Sequence, residues 1–366
     1  MAPLKLAILD DNQNLASTYF TPTAFPTLSI TIFNDTLPPY SHPTTSSSDR
    51  KAIIARLLPF AIISTMRERT PFTEDLVSQL PNLKLLLVTG KRHNTFDYGA
   101  FHSRSIPIIA AAGRPKQVLD DAQKEICRDG AHATTQHTWA LILGLARGVA
   151  REDHALKSGL WQTSFALGLQ GLTLGVLGLG RLGGSTARIG VLAWGMKVVA
   201  WSSSLTQEKA DETAKALGLP VEVGGEKTFR VVGKEELFRV ADVVSVHYAL
   251  SARSEGIVGR EELGVMKKGA LLVNTSRGPL IDEGALLETL EKGGIAGAAL
   301  DVFDVEPVQK DHPYRSYKWG TEGRSELLLS PHMGYVEKDT LETWYEETAE
   351  NLQRWLKGEK AVHQIL

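Results

Sequence analysis

The sequence predicts an α/β protein made of two doubly wound parallel-sheet domains. Two observations carry this. Short apolar runs bounded by Pro, Asn, Gly or Ser alternate with helical patterns along most of the chain. Near the middle, one such run passes through a glycine turn straight into a helix. The bulk properties agree, since 366 residues with 43% hydrophobic and 22% charged content suit two domains with sizeable cores.

Taken in order, Leu4–Leu9, Leu28–Phe33, Ala61–Ser64, Leu83–Val88 and Ile106–Ala110 read as strands covered on both faces. Thr73 is placed as the N-cap of a helix running to Leu80. Pro38 to Asp49, rich in Pro, Ser and Thr, reads as a solvated loop, and the polar stretch Arg114 to Ala131 as an insertion. Thr138 to Arg151 predicts one helix whose apolar face is Trp139, Leu141, Ile142, Leu145 and Val149. A second strand series follows at Leu172–Leu177, Lys197–Trp201, Asp242–His247, Ala270–Asn274, Ala296–Asp301 and Leu327–Ser330, and Asp339 to Lys357 forms a last long helix.

Several function classes are disfavoured. A net charge of −2 offers nothing to a nucleic acid or an anionic membrane. The chain has one cysteine, Cys127, so no intrachain disulfide forms, and a reducing, cytoplasmic setting is expected. No apolar run is long enough to span a bilayer, and the start of the chain is too short and too acidic for a signal peptide. The histidines follow no metal-ligand spacing, so no metal site is expected, and neither a serine-hydrolase elbow nor a triphosphate loop is present.

The glycine turn is Gly178-Leu-Gly180-Arg-Leu-Gly183, after Leu172–Leu177 and before a helix reaching Trp194. In that setting Gly178 permits the tight turn, Gly180 lets a pyrophosphate approach the backbone, and Gly183 lets helix and strand pack closely. The N–H groups of Arg181 and Leu182 then face the phosphates, aided by the helix dipole. The next strand ends in Trp201-Ser202-Ser203-Ser204, without the carboxylate that holds the ribose of NAD or an adjacent Arg for the 2′-phosphate of NADP. Ser202 and Ser203 can bond either group, so both cofactors stay open, with NAD slightly favoured.

Three later segments carry chemistry: Val273-Asn-Thr-Ser-Arg277-Gly-Pro-Leu-Ile-Asp282, Ala298-Ala-Leu-Asp301-Val-Phe-Asp-Val-Glu306-Pro307 and Leu329-Ser-Pro-His332-Met-Gly334-Tyr335. With the glycine turn and the Val246-His247 strand end, they make the chain strongly resemble the D-isomer-specific 2-hydroxyacid dehydrogenases, from about Ala133 to Gly358. That family includes glyoxylate/hydroxypyruvate reductases and phosphoglycerate dehydrogenases. The resemblance implies a Rossmann cofactor domain, 138–337, inserted into a flavodoxin-like substrate domain, 1–137 plus 338–366, with the active site in a closing cleft. It implies hydride transfer between NAD(P)H and C2 of a small 2-oxo or 2-hydroxy acid, and a homodimer.

It also implies a triad of Arg277, Glu306 and His332. The roles make chemical sense: a planar guanidinium can bridge the substrate's carboxylate and carbonyl, and an imidazole can give the proton that the carbonyl oxygen gains. Glu306 would favour the protonated imidazole and orient it. In related formate dehydrogenases a glutamine stands there, so Glu306 argues against formate. By position, Asp301 would accept from the nicotinamide carboxamide, Thr275, Ser276, Thr134 and Gly334 would lie near that end, and His247 and Ala249 near the adenosine. The substrate carboxylate would meet Gly90, Lys91 and Arg92 in a loop that departs from the commoner family pattern. Gln136 in place of an acid, the 114–131 insertion and an enlarged Tyr314–Glu326 are further departures. A phosphoglycerate dehydrogenase would need extra cations, and a dinucleotide-sensing corepressor of the same fold is the rival of a different class.

Overall fold

The computed structural model describes residues 3–90, 95–113, 120, 123, 132–316 and 318–366. The chain divides into two compact units, one formed by Met1–Val118, Val305–Pro307 and Glu337–Leu366, the other by Leu119–Asp304 and Val308–Val336.

The first unit holds strands β1 (Leu4–Ile8), β2 (Leu28–Ile32), β3 (Ile62–Thr65), β4 (Leu85–Thr89) and β5 (Ile108–Ala111), in the order β2-β1-β3-β4-β5 and parallel throughout. Alternate residues of the inner strands bury opposite faces, which is why each reads as an unbroken apolar run. Ala7, Ile63, Leu86, Val88 and Ile108 enter a core with Ile53, Phe72 and Phe101. The terminal helix Lys338–Leu356 packs on β4 and β5, burying Leu341, Trp344, Tyr345 and Leu352. Tyr345 donates to Asp11 Oδ1 at 3.1 Å, and Asn351 donates to the Ala110 carbonyl at 3.2 Å.

Helix Ser47–Leu57 begins inside the stretch expected to be a loop. Its Ser-rich start is a cap rather than a linker, because Ser46 Oγ accepts from the Asp49 N–H at 3.1 Å. The helix expected from Thr73 is short, Glu74–Ser78, and Thr73 makes no capping bond because its hydroxyl pairs with that of Ser41.

Asp10, at the carboxyl end of β1, has φ of +61° and is 3% exposed. Burial pushes its carboxyl up to about 6, against the pull of Arg69, Arg56 and the Thr70 hydroxyl. A folded-state pKa above the unfolded 3.8 stabilises the fold below that value and loses the benefit as pH rises through about 6. At neutral pH the buried charge is therefore a cost. Asn is isosteric, uncharged and tolerant of left-handed backbone. We expect Asp10→Asn to stabilise the protein by about 1–3 kcal/mol at pH 7, with the gain vanishing near pH 4 in urea unfolding curves. An equal or lower stability at pH 7 would contradict this.

The second unit carries a sheet in the order β10-β7-β6-β11-β12-β13-β14, again parallel throughout. The strands are β6 (Thr173–Leu177), β7 (Lys197–Trp201), β10 (Phe229–Val231), β11 (Val243–Val246), β12 (Leu271–Asn274), β13 (Gly297–Leu300) and β14 (Glu326–Leu329). β8 (Glu222–Val223) and β9 (Glu226–Lys227) form a separate hairpin. This hairpin and β10 are too short to show a period, and the sequence reading missed them. One sheet face packs Val176, Val198, Leu271, Val273 and Ala299 on Trp139, Ile142 and Ala187. The other packs Leu177, Val199, Val244, Leu272 and Ala298 on Leu237, Leu286 and Leu290.

The single helix expected over Thr138–Arg151 is two, Ala133–Ala146 and Val149–Lys157. Gly148 adopts left-handed φ of +61° and ends the first. Val149 therefore leaves the expected apolar face and is 60% exposed. The first helix lies whole in the second unit, so the division falls at 118/119 rather than at 137/138.

Candidate active site

Strand order locates the site in the second unit. β6 and β11 are neighbours whose onward connections run in opposite directions along the sheet, and ligands of such sheets bind beyond the carboxyl ends at that switch point. The glycine turn leaves β6 there, and His247 leaves β11.

The three glycines are required for three different reasons. Gly178 has φ of +100°, and a Cβ on it would meet the His247 carbonyl oxygen at 2.7 Å. A Cβ on Gly183 would lie 2.0 Å from the Gly178 carbonyl oxygen. Among the described residues, a Cβ on Gly180 would meet nothing within 4 Å, so they leave this flank open. Helix Arg181–Trp194 starts on Gly180 with no side-chain cap and no acid in its first turn. Open space over uncapped N–H groups suits a pyrophosphate. The contrast is testable. Gly183→Ala must displace backbone, and we expect a loss of about 3 kcal/mol of stability. Gly180→Ala should keep the wild-type melting temperature yet weaken NADH binding by calorimetry at least about tenfold, because the methyl stands where the phosphate approaches. Undiminished affinity in Gly180→Ala would refute this placement.

Around the turn, Arg181 bonds the His132 imidazole at 2.8 Å. Leu182 is half-buried. Ser202 and Ser203 follow β7, where Tyr248 donates to Ser203 Oγ at 2.8 Å and stacks on Trp201 with centroids 5.9 Å apart. Lys209 folds back onto the Ser204 carbonyl at 2.9 Å, which places a cation beside Ser204. Tyr248 and the fold-back of Lys209 were missed because neither carries a sequence signal. His247 keeps a partly exposed edge as a residue, but its Nε2 sits against Ser245 Oγ at 2.8 Å. Desolvation there pushes the imidazole down to about 4, so it is neutral at physiological pH. Ala249 is exposed, and its carbonyl accepts from Ser254 at 2.8 Å.

Arg277 leaves the end of β12 on a braced turn. Asn274 Nδ2 donates to the Arg277 carbonyl at 2.9 Å, and Asn274 Oδ1 accepts from the Ser276 N–H at 3.0 Å. The guanidinium donates to the Ser276 carbonyl at 2.7 Å, and Ser276 Oγ donates to that of Tyr248 at 3.2 Å. Gly278 is needed because a Cβ would run into the Phe303 backbone at 1.9 Å. Thr138 donates to the Thr134 carbonyl, so the 2.7 Å bond between Thr138 and Thr275 has Thr275 as donor.

Asp301, just past β13, is 1% exposed and takes four donors. Oδ1 accepts from Ser330 Oγ at 2.6 Å, the Met333 N–H at 2.7 Å and His137 Nε2 at 3.0 Å, and Oδ2 accepts from the Gly334 N–H at 2.9 Å. Burial alone would raise its pKa, but these hydrogen bonds outweigh burial and hold the carboxyl below its ordinary value. The sequence reading gave Asp301 a bond from the nicotinamide; here its oxygens accept from the helix Ala133–Ala146 and from the segment that follows β14. Within that segment, His332 has φ of +54° and donates its N–H to the Asp301 carbonyl at 2.8 Å. Its ring meets Tyr335 edge-on, with centroids 5.5 Å apart. Thr134 Oγ1 donates to the Gly334 carbonyl at 3.0 Å, so these two candidates touch each other.

Arg277, Asp301 and His332 thus leave three adjacent strands at one sheet edge. Glu306 instead belongs to the first unit, where Arg69 lies 4.0 Å from its Oε2. Gly90 ends β4 with φ of +87° and donates to the Ala111 carbonyl at 2.7 Å. Lys91 and Arg92, like the 114–131 insertion apart from 120 and 123, lie outside the described residues. In the enlarged 314–326 stretch, Tyr314 is 3% exposed and packs against Phe303, so this end is core rather than a free rim.

Comparison with known proteins agrees with this geometry. Residues 139–334 match the family described as D-isomer specific 2-hydroxyacid dehydrogenase, NAD binding domain. Glyoxylate reductase of Aeropyrum pernix is 33% identical over 293 residues, 78% of this chain and 76% of that protein. Hydroxypyruvate reductase of Blautia hydrogenotrophica is 27% identical over 322 residues, 86% and 88% of the two chains. The crystal structure of a putative D-3-phosphoglycerate dehydrogenase from Ralstonia solanacearum superposes with a TM-score of 0.76 at 28% identity, covering 98% of this chain and 96% of that one. The chain therefore belongs to the D-isomer specific 2-hydroxyacid dehydrogenase family, NAD-dependent oxidoreductases that act on small 2-hydroxy and 2-oxo acids.

Proposed function

We propose that the protein reduces glyoxylate, hydroxypyruvate or a similarly small 2-oxo acid to the D-2-hydroxy acid, with the second unit as cofactor domain and the first as substrate domain. The observation that carries this is the edge formed by β12, β13 and β14, which presents Arg277 and His332 on either side of a buried carboxylate that braces the His332 loop. A reduced nicotinamide cofactor, held by the glycine turn, would supply the hydride for C2. Arg277 holds the carboxylate and draws electron density toward the carbonyl oxygen. His332 gives that oxygen its proton, and takes one in the reverse direction. Glu306 keeps the orienting role that the family resemblance implies.

Gly178, Gly180, Gly183 and the amides of Arg181 and Leu182 would hold the pyrophosphate, and Ser202 and Ser203 the adenosine ribose. The reading favours NAD; Lys209 beside Ser204 makes NADPH the necessary second arm of the test. The experiment follows NADH and NADPH oxidation with glyoxylate, hydroxypyruvate, pyruvate, 3-phosphohydroxypyruvate and bulkier 2-oxo acids. Turnover with a small 2-oxo acid supports the reading. Tight NADH binding without turnover on any acid would favour a dinucleotide-sensing role instead.

A homodimer through the second unit is part of the same reading. Trp161 and Phe165 are 76% and 101% exposed, and Leu156 and Leu160 beside them are also exposed. So much apolar surface on one short segment fits an interface. Sedimentation should give a dimer, and Trp161→Glu with Phe165→Glu a monomer; a monomeric wild type would overturn the assignment. No described helix is long and apolar enough to cross a membrane.

A further inference from the structure

The geometry assigns to His137 a part in the reaction that no sequence motif signals: it is a positioning residue that locks the His332 loop through Asp301 and Ser330. This rests on the proposed role of His332 as proton donor.

The argument starts from the count of hydrogens. Asp301 is held in its ionised form and can only accept. Ser330 has a single hydroxyl hydrogen, and its 2.6 Å bond to Asp301 Oδ1 uses it. His137 Nε2 lies 3.0 Å from that same Oδ1 and 2.8 Å from Ser330 Oγ. Neither neighbour has a hydrogen left for it, so Nε2 must carry the proton and donate between them. The imidazole thus closes a ring of His137, Ser330 and Asp301.

The ring has a mechanical consequence. Asp301 Oδ1 also receives the Met333 N–H and Oδ2 the Gly334 N–H, on the two residues after His332. The Asp301 carbonyl receives the N–H of His332 itself. The loop is pinned at 330, 332, 333 and 334 by one buried residue, and it needs pinning because His332 occupies left-handed backbone that its side chain disfavours. Without His137, Asp301 Oδ1 keeps only Ser330 and Met333 as donors, and Ser330 Oγ loses the donor it accepts from, which buried polar atoms lose at a cost. With His137 gone, Asp301 and Ser330 would reorient or admit water, and the His332 ring would lose its fixed approach to the substrate oxygen. His137 can do this because it projects from the rigid helix Ala133–Ala146, which packs on β12, β13 and β14.

The test compares His137→Ala with His137→Gln, whose amide restores a donor. In the Ala variant, kcat should fall at least about tenfold, with NADH affinity by calorimetry within about twofold. Hydrogen exchange of the amides at 330–336 should speed up about tenfold or more, while the rest of the second unit keeps its protection. The Gln variant should recover most of both. Unchanged exchange and kcat in the Ala variant, or a Gln variant as impaired as Ala, would overturn the inference. If the Ala variant does not fold, Ser330→Ala breaks the same ring and must show the same local acceleration; normal protection there also overturns it. The exchange readout needs no turnover. A protein inactive on every acid but showing the expected acceleration would thus sink the proposed reaction and spare the brace.

Discussion

Replacing His332 with alanine should lower kcat by about 10²- to 10⁴-fold and leave NADH binding intact. The reduction of a 2-oxo acid puts negative charge on the carbonyl oxygen, and the substitution removes the group that supplies the proton. The loop should survive, because its bonds to Asp301 run through backbone N–H groups that alanine keeps. The backbone conformation itself is the weak point. At φ of +54° a Cβ costs about 1–2 kcal/mol, a strain that histidine and asparagine meet more readily than alanine. His332→Asn separates the effects, since Asn tolerates this region and cannot act as a proton donor near neutral pH. Both variants should therefore be inactive, with Asn closer to the wild-type melting temperature. Activity within threefold of wild type in either variant would remove His332 from the reaction.

The second large effect is at Arg277. Arg277→Ala should reduce kcat/KM by about 10²- to 10⁴-fold, the loss expected for a forked, charge-assisted contact. Arg277→Lys should recover little, because an ammonium cannot bridge carboxylate and carbonyl in one plane. The turn carrying Arg277 should stay folded, as Asn274 grips its backbone and Gly278 is wedged against Phe303. Added guanidinium ion should then partly restore turnover in the Ala variant and not in the wild type. Full activity of the Lys variant would show that charge alone suffices and would refute the fork. Together the two variants distinguish loss of substrate binding, seen mainly in KM for Arg277, from loss of proton transfer, seen in kcat for His332.

What sequence reading recovered and missed divides along the same physical line. Apart from β10, the strands of both sheets were legible because residues buried on both faces make continuous apolar runs. The glycine turn was legible because each of its requirements is met within six residues. Gly148, by contrast, lies in an apolar stretch that reads as continuous helix, and its left-handed conformation shows only in three dimensions. Ser46 to Asp49 has the composition of a loop, and only the following turn of helix shows that it is a cap.

Arg277 and His332 were found as members of ordered motifs, and the structure places them at one edge of one sheet. His137 was not found, because its partners lie 164 and 193 positions away. Asp301 was singled out, yet its four donors could not be foreseen.

By itself the sequence determined the two-domain α/β architecture, the dinucleotide turn and the identities of the chemical groups, since all of these follow from periodicity and turn chemistry among near neighbours. Tertiary structure alone decided that the carboxylate of Asp301 faces a helix, a strand end and a loop at once. Burial makes that choice: a charge withdrawn from water must find its donors wherever the folded chain brings them, and sequence distance carries no record of where that is.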